Sequence, residues 1–471
     1  MSKAISYLIG AIICLFFVGC GDEKNKQIYF LTGANSHKSG VHEHLKDAKL
    51  FADALNTSSL GIDAHVLDTG WPDDSSILSE ADAIVVICDG LEKHVLNGRV
   101  DQIRKLWKKG MGIVVLHFAL ESEDKDLGNF LMDSIGARFQ VGWSVNPIWE
   151  AKEFKVSEHI VSNGVGDFPA IEDEWYYHMK FRDNMKGVSP ILSVVPSLDT
   201  LGKNGPRSGN PVVREKVTRG EMQHLSWVSD NGRSGRGFGF TGGHFHWNWT
   251  IDQLRKVILN GIVWVAKGSI PEGGVESERP LIKRNETLAK AIAKNDIEDI
   301  KVHVQIDSSV VNEQNKAGFS ALHLAAIRNK PAILSLLADY GGKLDLLTTS
   351  KRSPLHLAIE RGGKESVRVL IERGASLSLG DQTGWTPLHF AAAKNRLEIA
   401  KMLIEAGADV HKLSNAGGTA LHEGAASGGK EIIKLLLEAG VDPGVKAEDG
   451  SLALDHAIKF KNEAAIGILD K

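Results

Sequence analysis

Histidines set among carboxylates carry the strongest chemical signal in this 471-residue chain. GANSHKSGVHEH holds His37, His42 and His44; VVLHFA holds His117; EDEWYYH holds Glu174 and His178; TGGHFHWNW holds His244 and His246; and Asp89 closes AIVVICD. Neutral imidazoles suit zinc and similar divalent ions, and an open coordination position lets the ion acidify water or polarise a keto group. His42, His44 and His244 are the candidate ligands, with zinc the favoured divalent metal. His42 and His44 can share a site only in a loop ahead of a helix, because residues two apart within a helix point about 200° from each other. His117, His178, Glu174 and His246 are the candidate catalytic groups, and His37 and Asp89 the candidate polar contacts to substrate. The same side chains support metal-free acid/base chemistry, or hydrogen bonding without catalysis, and residue type leaves all three open. His65, His94, His159 and His224 read as structural or exposed.

Tryptophan supplies a second hint. Trp143, Trp149, Trp175, Trp227, Trp247 and Trp249 fall in one stretch beside Tyr176 and Tyr177. Indole faces stack on the C–H faces of sugars while the ring N–H finds a polar partner. Most of these rings read as core, and Trp175 and Trp247, which adjoin candidate histidines, are the expected sugar contacts. Gly237, Gly239 and Gly242 fit G-x-G-x-x-G, but Phe238 and Phe240 alternate as in a strand with no amphipathic helix directly after, so no nucleotide cofactor is expected. The acidic run from Glu121 to Asp126 reads as a solvated loop. A net charge of −4 gives no electrostatic ground for a nucleic-acid partner.

These groups need elements to position them. From residue 28 to 267, short apolar runs such as IYFLTG, ADAIVVICDG and GIVVLHFAL alternate with amphipathic helices, the pattern of an α/β domain with a mainly parallel sheet and helices on both faces. One helix presents Val41, Leu45, Ala48, Ala52 and Leu55 on a single face. In open sheets of this kind ligands bind at the carboxyl ends of the strands, where the histidines and carboxylates fall. Residues 268–280, PEGGVESERP among them, read as a linker.

The C-terminal part repeats. SALH, SPLH, TPLH and TALH set His323, His356, His389 and His422 at intervals of 33 residues, the ankyrin period. The all-α solenoid is expected over residues 281–471, with Asp455 in the last repeat where the others have histidine. One histidine per repeat argues for structural hydrogen bonding, and the stack for an unidentified protein partner. Lys351 and Arg352 replace the usual glycine and its neighbour at one loop tip.

At the other end, Lys3 precedes an apolar run of about 15 residues, too short for a membrane span of about 20. It ends in FVGC, which resembles a bacterial lipobox. Residues 1–19 are then a signal peptide, Cys20 the lipidated residue, and 20–27 a tether, giving an exported protein anchored to a membrane facing the periplasm or surface. With Cys14 and Cys20 so assigned, Cys88 has no disulfide partner and reads as a buried hydrophobe.

NSHKSGVHEH, GWSVNPIWE, DEWYYHMKFRDNMKGVSPILS, RSGNP and GRGFGFTGGHFHWNW resemble the trehalose-utilisation (ThuA-like) family over roughly 240 residues. The resemblance implies a flavodoxin-like fold similar to class I glutamine amidotransferases and a link to bacterial sugar catabolism, with keto-glycosides among the candidate substrates. It does not carry the amidotransferase reaction: the turn that needs a cysteine nucleophile presents His117, and no G-x-S-x-G elbow exists. The expected function is a metal-assisted hydrolase or lyase acting on a sugar derivative; the alternative is a non-catalytic carbohydrate-binding or scaffold protein.

Overall fold

The computed structural model describes residues 24–34, 40–203 and 205–470. The chain divides into two compact units at Pro280 and Leu281. The signal segment, Cys20 and His37 lie outside the described residues. Among those described, no helix is long and apolar enough to cross a membrane.

The first unit is built on an eight-stranded sheet. Strands β1 (Lys26–Thr32), β2 (Ile62–Leu67), β3 (Ala83–Ile87) and β4 (Gly112–Leu116) run in the order β2-β1-β3-β4, followed by strands Gly237–Phe240, Gln223–Ser229, Val188–Val194 and Lys155–Val156. The first five are parallel. Every residue of β3 and β4 is buried, as expected for strands covered on both faces. The remaining three are antiparallel. Their local sequence explains this: the polar turn DNGRSGR joins Gln223–Ser229 to Gly237–Phe240 directly, and a connection that short closes only a hairpin.

Helix α1 (His44–Thr57) follows β1 and buries His44, Asp47, Ala48, Phe51, Ala52 and Leu55. The buried stripe therefore differs from the apolar reading, since Leu45 is only half-buried and two polar residues take the inner face of the first turn. The helix Asp252–Val265 is buried almost all round. The segment read as a linker is fastened to this helix: Val275 N–H donates to Asn260 Oδ1 at 2.8 Å, Arg255 Nε donates to Ser277 Oγ at 3.0 Å, and Lys256 pairs with Glu276 at 2.9 Å. Val275 and Ile270 are buried. Glycine and proline gave 268–280 the composition of a free connection, but its apolar residues found a surface to cover.

The second unit stacks helix pairs, from Leu288–Lys294 with Ile297–Ile306 to Ala453–Lys459 with Glu463–Leu469. The repeated histidines cap the first helix of each pair. In His323, His356 and His389, Nδ1 accepts the backbone N–H of Ser320, Ser353 and Thr386 at 3.1–3.2 Å, and Nε2 donates to the carbonyl of Arg352, Trp385 and Gly418 in the next repeat. Asp455 does the capping part of this with a carboxylate oxygen, 2.8 Å from Leu452 N. Lys351 stands at φ +56°, where Gly318, Gly384, Gly417 and Gly450 adopt φ +79°, +78°, +74° and +82° at the equivalent tips.

Candidate metal centre

Loops at the carboxyl ends of three parallel strands, and the end of one short antiparallel strand, bring four ligand-type side chains together. His42 lies in the loop after β1, His117 begins the turn after β4, His244 follows the strand Gly237–Phe240, and Glu174 ends the short strand Ile171–Glu174. Their ligand atoms all lie within 4.8 Å of one another. His42 Nε2 is 3.1 Å from His117 Nε2 and 2.9 Å from His244 Nδ1. Glu174 Oε2 is 3.3 Å from His117 Nε2 and 3.1 Å from His244 Nδ1.

Backbone contacts hold this arrangement. Residues 40–42 pair with 244–246: His42 N–H donates to His244 O at 3.1 Å and His246 N–H to Gly40 O at 3.1 Å. Asp173, fully buried, accepts from Gly243 N at 2.8 Å, His244 N at 3.0 Å and Asn248 Nδ2 at 3.0 Å. His42 and His117 sit at φ +49° and +50°, a region that costs an ordinary residue of order 1–3 kcal/mol and that clusters at functional sites.

The outer contact of His117 settles which way its inner nitrogen faces. His117 Nδ1 lies 2.8 Å from Thr241 O, which only accepts, so Nδ1 carries the proton and Nε2 offers a lone pair to the centre. His42 Nδ1 faces Asp89 Oδ1 at 3.6 Å, an electrostatic contact beyond hydrogen-bond distance. Two ring nitrogens 3.1 Å apart need a proton or a metal ion between them. Tetrahedral ligands bound to zinc at about 2.0–2.1 Å lie about 3.4 Å apart, close to the spacings here. The donor set of three imidazoles and a carboxylate therefore fits a divalent ion. Burial disfavours the charged form of His117, but hydrogen bonding and charge from Glu174 outweigh it and raise the ring's pKa. Burial acts to raise Glu174 too, yet His117 and His244 hold its carboxyl well below the usual range.

The other expected residues divide. His44 Nε2 is 3.0 Å from Asp89 Oδ1, and His42, His44 and Asp89 form a second, buried group able to hold a metal ion, in keeping with the sequence reading of His44 as a ligand. His246 Nδ1 pairs with Asp47, which also accepts from Trp249 Nε1 at 2.7 Å. Asp47, His44, His117 and Trp249 border one small internal void. His178 lies away from the cluster, its ring edge-on to Trp143 at 6.3 Å, and burial lowers its pKa to about 4. Trp175 is fully buried, donates to Ile171 O at 3.1 Å and packs beneath Gly242, where a Cβ would come within 2.3 Å of the indole. No face of it is left for a sugar, which corrects that expectation. Trp247 is half-buried and stacks on Phe245 at 4.4 Å. Gly237, Gly239 and Gly242 admit Ser134, Trp227 and Trp175 at close range, so tight packing accounts for them. Burial pushes the Cys88 thiol up to about 12.

Sequence reasoning missed Asp47, Asp173, Asn146 and Glu121. Asn146 Nδ2 donates to Glu174 Oε1 at 3.2 Å. Glu121, read as part of a solvated loop, is 1% exposed and paired with Arg207. Adjacency of Asp173 to Glu174 in EDEW was the one available signal.

Comparison with known proteins identifies the two units. Residues 33–265 match the family described as trehalose utilisation (ThuA), and residues 288–381, 343–414 and 376–447 match ankyrin repeats. No curated protein matches the chain. A solved structure of a predatory endopeptidase from Bdellovibrio bacteriovorus in complex with an immunity protein is similar at 26% identity, with a TM-score of 0.36, over 40% of this chain and 98% of that one. The chain thus joins a ThuA-family domain, carrying a histidine and carboxylate cluster able to hold a metal ion, to a C-terminal array of ankyrin repeats.

Proposed function

We propose that the first unit is a metal-dependent enzyme, a hydrolase or lyase, acting on a keto-glycoside or related sugar derivative. The observation that carries this reading is the convergence of His42 Nε2, His117 Nε2, His244 Nδ1 and Glu174 Oε2 within 4.8 Å of one another. His42, His117, His244 and Glu174 hold the ion, with zinc the favoured one. When bound, it polarises a sugar carbonyl or acidifies a water molecule. Thr241 O accepts from His117 Nδ1, the arrangement in which an outer partner raises ligand basicity. Asp47 fixes His246 with its Nε2 as the free nitrogen, the form suited to accept and return a proton. The ankyrin unit recruits a protein partner, and lipidated Cys20 holds the chain on a membrane facing the periplasm or surface.

The test is metal content together with turnover, on the chain from Gly21 onward purified without chelator. About one divalent ion per chain, lost when His117 and His244 are changed to alanine, and turnover of a keto-glycoside that follows metal content, are the expected results. A folded protein that takes up no zinc, manganese or nickel overturns the metal reading. Full metal loading without turnover across keto-glycosides favours a non-catalytic carbohydrate-binding role.

A further inference from the structure

In the ankyrin unit, the residue after each repeated histidine or its aspartate counterpart forms one column along the stack: Leu324, Leu357, Phe390, Glu423 and His456. The first three are apolar, and His456 turns its ring to Ser451 Oγ at 3.1 Å. Glu423 breaks the column. It stands half-buried in the first turn of the helix Ala420–Ser427, and among the described residues its carboxylate has neither a hydrogen bond nor an ion pair. Burial raises its pKa to about 7, with no cation beside it to oppose the rise. A half-buried carboxylate left unpaired costs the stack stability, where leucine, as at two other repeats, would add to it.

The preceding repeat shows what such a position takes. Arg352 lies over the Phe390 ring at 5.1 Å and pairs with Glu360 at 3.2 Å, so the chain there supplies a cation, an aromatic ring and a carboxylate together. One repeat on, the positions of Arg352 and Phe390 are taken by Trp385 and Glu423. The ring and the carboxylate remain, and the cation is missing. Trp385 is half-buried and meets Phe390 edge-on at 5.4 Å. The residue placed like Trp385 in the repeat of Glu423 is Gly418, which has no side chain to cover the carboxylate. Neither backbone nor packing demands that glycine: its φ is not positive, and an added Cβ would meet nothing closer than 3.4 Å.

We propose that Trp385 and Glu423 anchor the docking face of the ankyrin unit by receiving a cationic side chain, arginine or lysine, of the protein partner. The proposal rests on the protein-binding reading of the repeats and adds what the partner must present. Indole and carboxylate act on the same group, one through its ring face and the other through a charge-assisted hydrogen bond. The partner's cation then does for Glu423 what Arg352 does within the chain, and Glu423 is kept at the expense of the unbound stack.

The experiment is selection of displayed random peptides on the chain from Gly21 onward, after depletion of the library on the same chain carrying Glu423→Gln. Surviving peptides should share an arginine or lysine. Replacing that residue by alanine, or Trp385 by leucine in the protein, should weaken binding about tenfold or more in fluorescence polarisation. Glu423→Leu should abolish binding and raise the urea midpoint of the ankyrin transition, a combination that a carboxylate serving the stack itself would not give. Survivors without a shared cation, binding unchanged by Trp385→Leu, or a lower midpoint in Glu423→Leu overturns the anchor. Peptides held by both chains, with none left after depletion, overturn the anchor and leave docking at another face. Peptides held by neither chain overturn the anchor and count against the protein-binding reading as well.

Discussion

Changing Asp89 to asparagine separates support of the metal centre from ligation itself. The carboxylate lies 3.0 Å from His44 Nε2 and 3.6 Å from His42 Nδ1, and is buried with both rings. Asparagine keeps the shape and one acceptor oxygen but removes the charge that lies beside both His42 and His44. Loss of such an outer partner typically weakens metal binding by about 10–100-fold. At a fixed excess of free zinc that is about 1.4–2.7 kcal/mol less stabilisation of the folded unit. With about 2–4 °C per kcal/mol for a unit of this size, the zinc-loaded transition should fall by about 3–10 °C. Scanning calorimetry with and without zinc, beside chelator competition for affinity, measures both quantities. His244→Ala should abolish the zinc-dependent shift, while Asp89→Asn should reduce it. An Asp89→Asn protein with wild-type zinc affinity, in a series where His244→Ala binds none, would refute the assigned support role; a wild type indifferent to zinc would refute the centre.

The remaining predictions concern other parts of the molecule. Lys351→Gly should stabilise the ankyrin unit by up to about 1 kcal/mol, because lysine in the left-handed region costs about 1–2 kcal/mol and glycine returns part of that as chain entropy; chemical denaturation reads it, and a loss of stability counts against the strain. Burial lowers His389 to about 4, so protons bind the unfolded chain first, and stability of the ankyrin unit should fall as pH drops from about 6.5 to about 4, by about 3 kcal/mol from this residue, then level off. A denaturation midpoint flat across that window contradicts it. Gly242→Ala, whose added carbon comes within 2.3 Å of Trp175, should destabilise the first unit by about 1–3 kcal/mol in urea denaturation, and a neutral result shows that the indole can move aside. On the proposed lipid anchor, Cys20→Ser should move the chain from the membrane to the soluble fraction and remove acyl mass from the N-terminal peptide; unchanged fractionation rules out the anchor.

Periodicity is what made much of the fold legible. β3 and β4 are continuous apolar runs and read at once as central strands, and the 33-residue spacing of four histidines located the repeats without reference to any contact. The antiparallel edge was less visible because strands such as QHLSWVS differ little in composition from parallel ones; only the length of the following turn distinguishes them. At the site, residue type pointed to His42, His117, His244 and Glu174 but could not divide ligands from their supports. His42 and His44 are chemically identical and two residues apart. The difference is that His42 stands before the helix in a left-handed conformation, and His44 is already the first residue of α1.

That difference also explains why the supporting carboxylates were hidden. Asp47 falls on the stripe of α1 where an apolar residue belongs, and Asp173 and Glu121 are buried at positions that composition assigns to solvent. Asp173 binds backbone amides, Glu121 the Arg207 guanidinium, and Asp47 the ring N–H groups of His246 and Trp249. A loop with His42 at φ +49° and a turn with His117 at φ +50° are not self-supporting, so the hydrogen bonds holding them must come from side chains distant in sequence. Asp173 supplies the amide contacts at residues 243 and 244, and that turn in turn pairs with the strained loop at residues 40–42. The strain and the buried carboxylates are thus two sides of one arrangement: inward-facing nitrogens require unusual backbone, and unusual backbone requires buried acceptors that no periodic pattern announces.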